Sequence, residues 1–351
     1  MFIRAAASIS PQSSFEQLLK TPSIPEGNRL TCIEPDYAAV IDAKMIRRMS
    51  RIVRMGVAAA MDCLKRGETE MPGAIITGTA YGCLADTELF LTKMIEQNEA
   101  LLTPTAFIQS THNTVGAQIA LLLKCHHYNN TFVHRGSSFE SALLDGITLL
   151  KEKQASDVLV GGIDEITPTS HTLLSRFGLF RQSNSDHASV NDHQRYGAID
   201  GEGTSFFLLS AQSSDNDFAE LKGLYTFYKP STQREIEVHF SRFLVEQNMS
   251  PRDIDLVITG HSGNAKHDVV YDRFLKSIDP AKPAVGFKHL CGEYPTASSF
   301  ALWLGSNILR SGAIPDSGRI NNRNSIQSPK RILIYNHYQN SYHAFYMLSA
   351  C

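Results

Sequence analysis

Residues 131–165, TFVHRGSSFESALLDGITLLKEKQASDVLVGGIDE, constrain the fold more than any other stretch of the chain. They read as a short strand at 131–134 and a turn of small residues, Gly136-Ser137-Ser138. A helix follows, with Ala142, Leu143, Ile147, Leu149 and Leu150 available for its apolar side. A second buried strand at 157–160 ends on Gly161-Gly162. A strand that turns sharply into a helix presents one side chain at its elbow, beside the helix N-terminus, where the dipole favours negative charge. Nucleophile elbows are built this way. The residue expected at the tip is Gly136, which carries no nucleophile.

The rest of the chain alternates in the same manner. Residues 1–35 read as irregular, punctuated by Pro11, Pro22 and Pro25, with a possible edge strand at 2–8. A helix is expected over 43–66. Met45, Ile46, Met49, Ile52, Val53 and Met61 recur on one side, and Arg47, Arg48, Arg51 and Arg54 fall between them as a solvated face or a docking face for an acidic carrier. A buried strand at 72–79 runs into a glycine turn at Gly78 and Gly82, and 86–97 is helical. An irregular loop at 103–114, with His112 in a structural role, precedes an apolar helix at 115–123. Residues 182–193 are polar and read as an exposed, mobile loop, and 213–217 as a hinge. Beyond it come strands at 219–228, 255–259 and 283–287, helices at 231–247 and 297–309, and strands at 331–335 and 344–349 around a polar aromatic loop at 336–343. Most of these strands read as buried on both faces. That places the chain in the α/β class with layers around buried sheets.

Composition excludes several functions. At 351 residues, 33 basic against 35 acidic, the chain carries no charge excess that would suit a nucleic acid. No apolar run reaches the roughly 18 residues a membrane span needs, and the start, MFIRAAASIS, lacks a signal-peptide layout. The six cysteines form no CxxC pair and read as reduced thiols, so a cytoplasmic protein is expected. No zinc spacing, dinucleotide fingerprint or P-loop is present, and no cofactor or metal is expected.

Taken in order, these motifs resemble the beta-ketoacyl synthase family, of thiolase fold, over nearly the whole chain. Residues 107–123 look like the loop and helix before the family's nucleophile strand, and Arg135-Gly136-Ser137-Ser138 stands at its Ala-Cys-Ser-Ser-like turn. Gly161-Gly162 matches a later glycine pair, and Gly201-Glu202-Gly203 a glycine-acid-glycine turn. Gly260-His261-Ser262-Gly263, followed by Asp268, resembles the His-Gly-Thr motif, and residues 287–299 resemble the lysine-to-histidine motif. The resemblance implies a layered α-β-α-β-α fold built from two pseudo-repeated halves, residues 1–212 and 213–351.

The departures shape the functional expectation. Condensing members use a cysteine thiolate on the acyl thioester, and two histidines that assist decarboxylation and stabilise the enolate oxygen. Here Gly136 takes the cysteine position, His261 the first histidine position and Glu293 the second, while Lys288 remains. A carboxylate beside a developing enolate has the wrong sign. Ser137, with His261 as base, and Cys291 are the alternative nucleophiles; helix capping and tight packing are the plainer reading of Ser137 and Ser138. The resemblance then implies a chain-length-factor-like subunit. It would pair with a competent ketosynthase as a heterodimer, or with itself, and meet acyl carrier protein in type II fatty acid or polyketide synthesis. The finer likeness is to ketosynthase-like proteins of aryl polyene, dialkylresorcinol and flexirubin clusters. The alternatives are altered acyl-transfer or decarboxylation chemistry using His261, and a scaffold that binds acyl groups without turnover.

Overall fold

The computed structural model describes residues 1–23, 27–100, 102–181, 197–320 and 328–351; the loop expected at 182–193 lies outside them. Ten strands form the main sheet: β1 (Phe2–Ile9), β2 (Ala74–Gly78), β3 (Tyr128–Phe132), β4 (Asp157–Asp164), β5 (Gly203–Ser210), β6 (Ala219–Tyr228), β7 (Leu256–Thr259), β8 (Ala284–Gly286), β9 (Arg331–Tyr338) and β10 (Tyr342–Ser349). Their order is β8-β7-β9-β10-β6-β1-β5-β4-β2-β3. Read outward from the centre, the first half runs β1-β5-β4-β2-β3 and the second β6-β10-β9-β7-β8, which is one order used twice. Strand directions repeat as well: β5 is antiparallel to β1 and β4, and β10 to β6 and β9, while the outer strands are parallel. The halves join through two residue pairs, Phe2↔Glu220 and Ile3↔Ala219. We propose that the division between them falls between residues 212 and 213.

Alternation along the strands makes the layers, because successive side chains point to opposite faces. Val158, Val160, Phe207 and Leu209 of the first half, and Leu256, Ile258, Ile332, Ile334 and Tyr346 of the second, face one shared core. It is filled by α5 (Ser138–Lys151) and α8 (Ser298–Ser311), which follow, in numbering, α1 (Arg51–Arg66), α2 (Leu84–Glu96), α3 (Pro104–Gln109), α4 (Thr114–Leu123), then α6 (Gln233–Glu246) and α7 (Ala265–Ile278). Leu159, Phe206 and Leu208 turn outward onto α1 and α4. Val257, Leu333, Phe345 and Met347 turn outward onto α6 and α7. The result is the layered helix-sheet-helix-sheet-helix architecture that the sequence implies. None of the described helices is long and apolar enough to cross a membrane.

Several local expectations are corrected. Residues 2–9 form a central strand rather than an edge, paired to β5 along their length. The helix over 43–66 is broken at 47–50: a short turn, Ala43–Ile46, precedes α1. Part of 103–114 is helical as α3. Gly161-Gly162 lies inside β4 instead of ending it. A Cβ at Gly161 would lie 2.3 Å from the Phe206 ring and one at Gly162 2.8 Å from Ser299, so bare backbone is what lets both faces close. The loop expected at 336–343 is the tip of a β9–β10 hairpin, turned by left-handed Gln339 and Asn340.

Candidate functional site

Strand β3, a 3₁₀ turn at Arg135–Ser137 and the first turn of α5 build the elbow. Ser138 closes it: its Oγ donates to the Arg135 carbonyl and accepts the His134 N–H, both at 2.8 Å. The end of β2 supports it from below, since a Cβ at Gly78 would lie 2.4 Å from the Ser138 carbonyl oxygen. The left-handed backbone of the elbow, φ 49°, falls on the exposed Arg135, one residue before the tip read from sequence. Gly136 is buried next to it, against Tyr338. Neither residue is a nucleophile, so the reading survives a one-residue shift in the count.

The other site residues come from the second half. Lys288, 1% exposed, follows β8 directly. Its ammonium donates to both Glu293 oxygens at 2.9 Å and to the His337 carbonyl at 2.8 Å. Those three bonds use all the donors a lysine has. Burial pushes the Glu293 carboxyl up, and Lys288 pulls it part of the way back. His261, just past β7, shares 2.8 Å between Nδ1 and the Thr259 hydroxyl and 3.2 Å between Nε2 and Asp272, a carboxylate held below its usual range mainly by that bond. Asp268 accepts from the Ser262 and Gly263 N–H groups and shapes the loop that starts α7. Gly260 ties these parts together: a Cβ there would lie within 3.0 Å of the Tyr271 hydroxyl, Asn336 Oδ1 and Lys288 Cε.

The two alternative nucleophiles are placed elsewhere. Ser137 is half-buried and opens on a cavity of about 440 Å³ with Glu140, Ser141, Leu144, Thr226, Tyr228 and Tyr342, and no hydrogen bond joins it to His261. Cys291 is sealed in the shared core, its thiol pushed far up by burial, so the nucleophilic thiolate is not formed there. The structure brings together Lys288, Glu293 and the His337 backbone, and puts Gly136 against Tyr338. No hydrogen bond joins Ser137 or Cys291 to His261.

Sequence reasoning missed the anchors around this centre. Glu202 of the glycine-acid-glycine turn is fully buried, forks onto Arg51 at 2.7 and 2.6 Å, and accepts from the N–H groups of Cys32 and Ile166. Arg51 is half-buried and tied inward by Glu202, and Arg54 lies over the Tyr37 ring; of the expected solvated basic face, Arg47 and Arg48 are exposed. Asp164 accepts from Thr79 and Ala80 of the first half and Thr296 of the second, and burial raises it to about 6. Asp200 meets His171 at 2.8 Å and is raised by burial to about 8. Tyr338 falls in the expected polar aromatic loop at 336–343, a reading that assigns it no contact. The glycine-acid-glycine motif was a signal for Glu202; no local signal pointed to Arg51, 151 residues away.

Comparison with known proteins bears on this geometry. The family described as beta-ketoacyl synthase, N-terminal domain, matches residues 25–177. The ishigamide ketosynthase/chain length factor superposes with a TM-score of 0.81 at 16% identity, covering 100% of this chain and 98% of that one. The ketosynthase ApeO in complex with its chain length factor ApeC from Xenorhabdus doucetiae gives 0.78 at 15%, covering 100% and 98%. AntDE:AntF, a type II PKS acyl-carrier protein in complex with its ketosynthase bound to the hexaketide, gives 0.79 at 14%, covering 100% and 99%. No curated protein sequence matches. Residues 25–177 thus match the beta-ketoacyl synthase N-terminal domain model, and the chain as a whole has the fold of these ketosynthase structures.

Proposed function

We propose that this chain is a non-condensing, chain-length-factor-like subunit that pairs through β3 with a competent ketosynthase and helps bound that enzyme's acyl tunnel. The observation that carries the reading is an elbow whose turn holds exposed Arg135 at the left-handed position and Gly136 packed against Tyr338, neither of them a nucleophile, beside a sheet edge with no strand on its outer side among the described residues. Two further features support it. Lys288, the lysine of the motif, spends its donors on Glu293 and a backbone carbonyl, so none is left for a substrate carbonyl. Phe107 and Ile108 of α3 are 59% and 62% exposed, large apolar side chains available to a neighbour. The similar structures include a ketosynthase with its chain length factor and one with its acyl-carrier protein. By that analogy the partners here are a ketosynthase and, through it, acyl carrier protein, in a type II polyketide or fatty acid system; the aryl polyene kind follows from the sequence resemblance alone. The free cysteines suit the reducing cytoplasm.

The test is incubation of the isolated chain, and of the chain co-expressed with a competent type II ketosynthase from the same organism, with acyl-loaded carrier protein. Intact mass should show an acyl adduct on the ketosynthase alone. An adduct on the isolated chain that disappears in His261→Ala would replace this reading with acyl transfer at His261.

A further inference from the structure

The backbone at Gly136 does not by itself require glycine, because its φ is not in the left-handed region. What excludes a side chain is Tyr338. A Cβ at residue 136 would lie 2.5 Å from Tyr338 Cβ, 2.8 Å from Cδ1 and 2.9 Å from Cγ. The nearest atom is the stem of the tyrosine, so turning its ring cannot relieve the overlap; the strand itself has to move. That strand is held. Tyr338 closes β9 opposite Tyr342 and is 4% exposed. The preceding residue, His337, accepts from Lys288 at 2.8 Å through its carbonyl, and its N–H donates to the Tyr271 hydroxyl at 2.9 Å.

We propose that Tyr338 is the residue that closes the elbow, and that the bare position 136 and the seated Tyr338 are one coupled feature. The lost nucleophile is then only half of the inactivation. A side chain restored at 136 has no room to stand over the α5 N-terminus while Tyr338 holds its place, and a thioester has no room to approach it. The proposal rests on the reading of 136 as the elbow position, and it adds a determinant that the count of missing catalytic groups does not contain.

The experiment is thiol labelling at that position. Trypsin cuts after Arg135 and Lys151, and the released peptide, GSSFESALLDGITLLK, contains no native cysteine. Iodoacetamide labelling of this peptide is measured in Gly136→Cys and in Gly136→Cys combined with Tyr338→Gly. The double variant should label at least about tenfold faster, since accessibility governs thiol reactivity once the chemistry is fixed; equal rates would overturn the proposal. Gly136→Ala guards against variants that do not fold. Its urea midpoint should fall below wild type, and an unchanged midpoint would overturn the proposal whatever the other variants do. Pairing with a ketosynthase is read by association rather than by this label, so the proposal and the subunit reading can fail separately.

Discussion

Strands β3 and β8 hold equivalent places at the outer ends of the two half-sheets, each parallel to its inner neighbour, and they are finished in opposite ways. β8 is three fully buried residues. A returning segment covers its outer side: the Ile320 N–H bonds to the Ala284 carbonyl at 3.0 Å, and Val285 bridges Arg319. β3 is five residues long, none of them buried, with no strand on its outer side among the described residues. The Thr131 N–H is met by its neighbour's own Asn130 side chain at 2.8 Å, a local bond that a partner strand can displace. Exposed apolar side chains flank this edge: Leu121 on α4, Leu144 on α5, and Tyr128 and Val133 along the strand and just past it. Open edges invite another strand, and proteins that stay alone cover or charge them. One fold used twice in a chain has therefore been closed at one end and left available at the other. The difference teaches where a partner fits, and the closed end leads straight into Lys288 and the sealed site.

The largest effects should come from attacking the closed end. Lys288→Met leaves Glu293 as an unpaired buried carboxyl and should cost about 3–5 kcal/mol of stability by urea unfolding. Val285→Pro removes an N–H inside a covered, fully buried strand and should cost about 3 kcal/mol or more, seen as a collapse of the thermal midpoint. An unchanged midpoint in either variant would erase the contrast. Thr131→Pro is the sharpening counterpart. On an open edge the proline should leave the monomer's melting temperature near wild type while weakening association at least about 100-fold, or about 2.7 kcal/mol, by analytical ultracentrifugation.

A smaller effect should appear on titration of the interior. Burial raises Asp200 to about 8 and Glu165 to about 7, from ordinary values of 3.8 and 4.5. A carboxyl raised in the folded state binds its proton more tightly there, so its contribution is full below the unfolded value and is lost as pH climbs through the folded one. His289 and His343, lowered to about 4 by burial, act in the opposite sense as their unfolded forms give up protons around the ordinary value of 6.5. The Asp200 contribution is isolated by comparing variants: between pH 6.5 and 8 the wild type should lose about 2 kcal/mol more stability than Asp200→Asn, a difference in which the histidine contributions cancel. The slope belongs to the interior and should be the same in Thr131→Pro; a slope that changes with the edge variant would mean that the two regions are coupled.

Much of the architecture was legible because it is periodic. The strands at 203–210 and 256–259 are short apolar runs, and the strand–turn–helix at 128–151 carries its own punctuation. Pairing partners were not legible. Residues 2–9, FIRAAASI, look like a marginal edge strand and occupy the centre because β5, some 200 residues later, pairs with them. The helix break at 47–50 has no glycine or proline to announce it, and Ser50 begins α1 without a side-chain cap bond. The hairpin tip at 336–343 was hidden by its polarity: Asn336, His337 and His343 are buried residues there, with the two histidines stacked among aromatic rings. At the site, the proposed loss of the nucleophile rests on a count of residues in the sequence. The Tyr338 contact and the Lys288–Glu293 pair are facts of packing, visible only once the two halves are brought together.

Native mass spectrometry of the chain co-expressed with a competent type II ketosynthase from the same organism, then exposed to acyl-loaded carrier protein, tests the central claim most directly. The account predicts a one-to-one heterodimer whose acyl adduct sits on the ketosynthase alone, and the loss of that complex in Thr131→Pro. A chain that stays apart from the ketosynthase and carries the acyl group itself would contradict it.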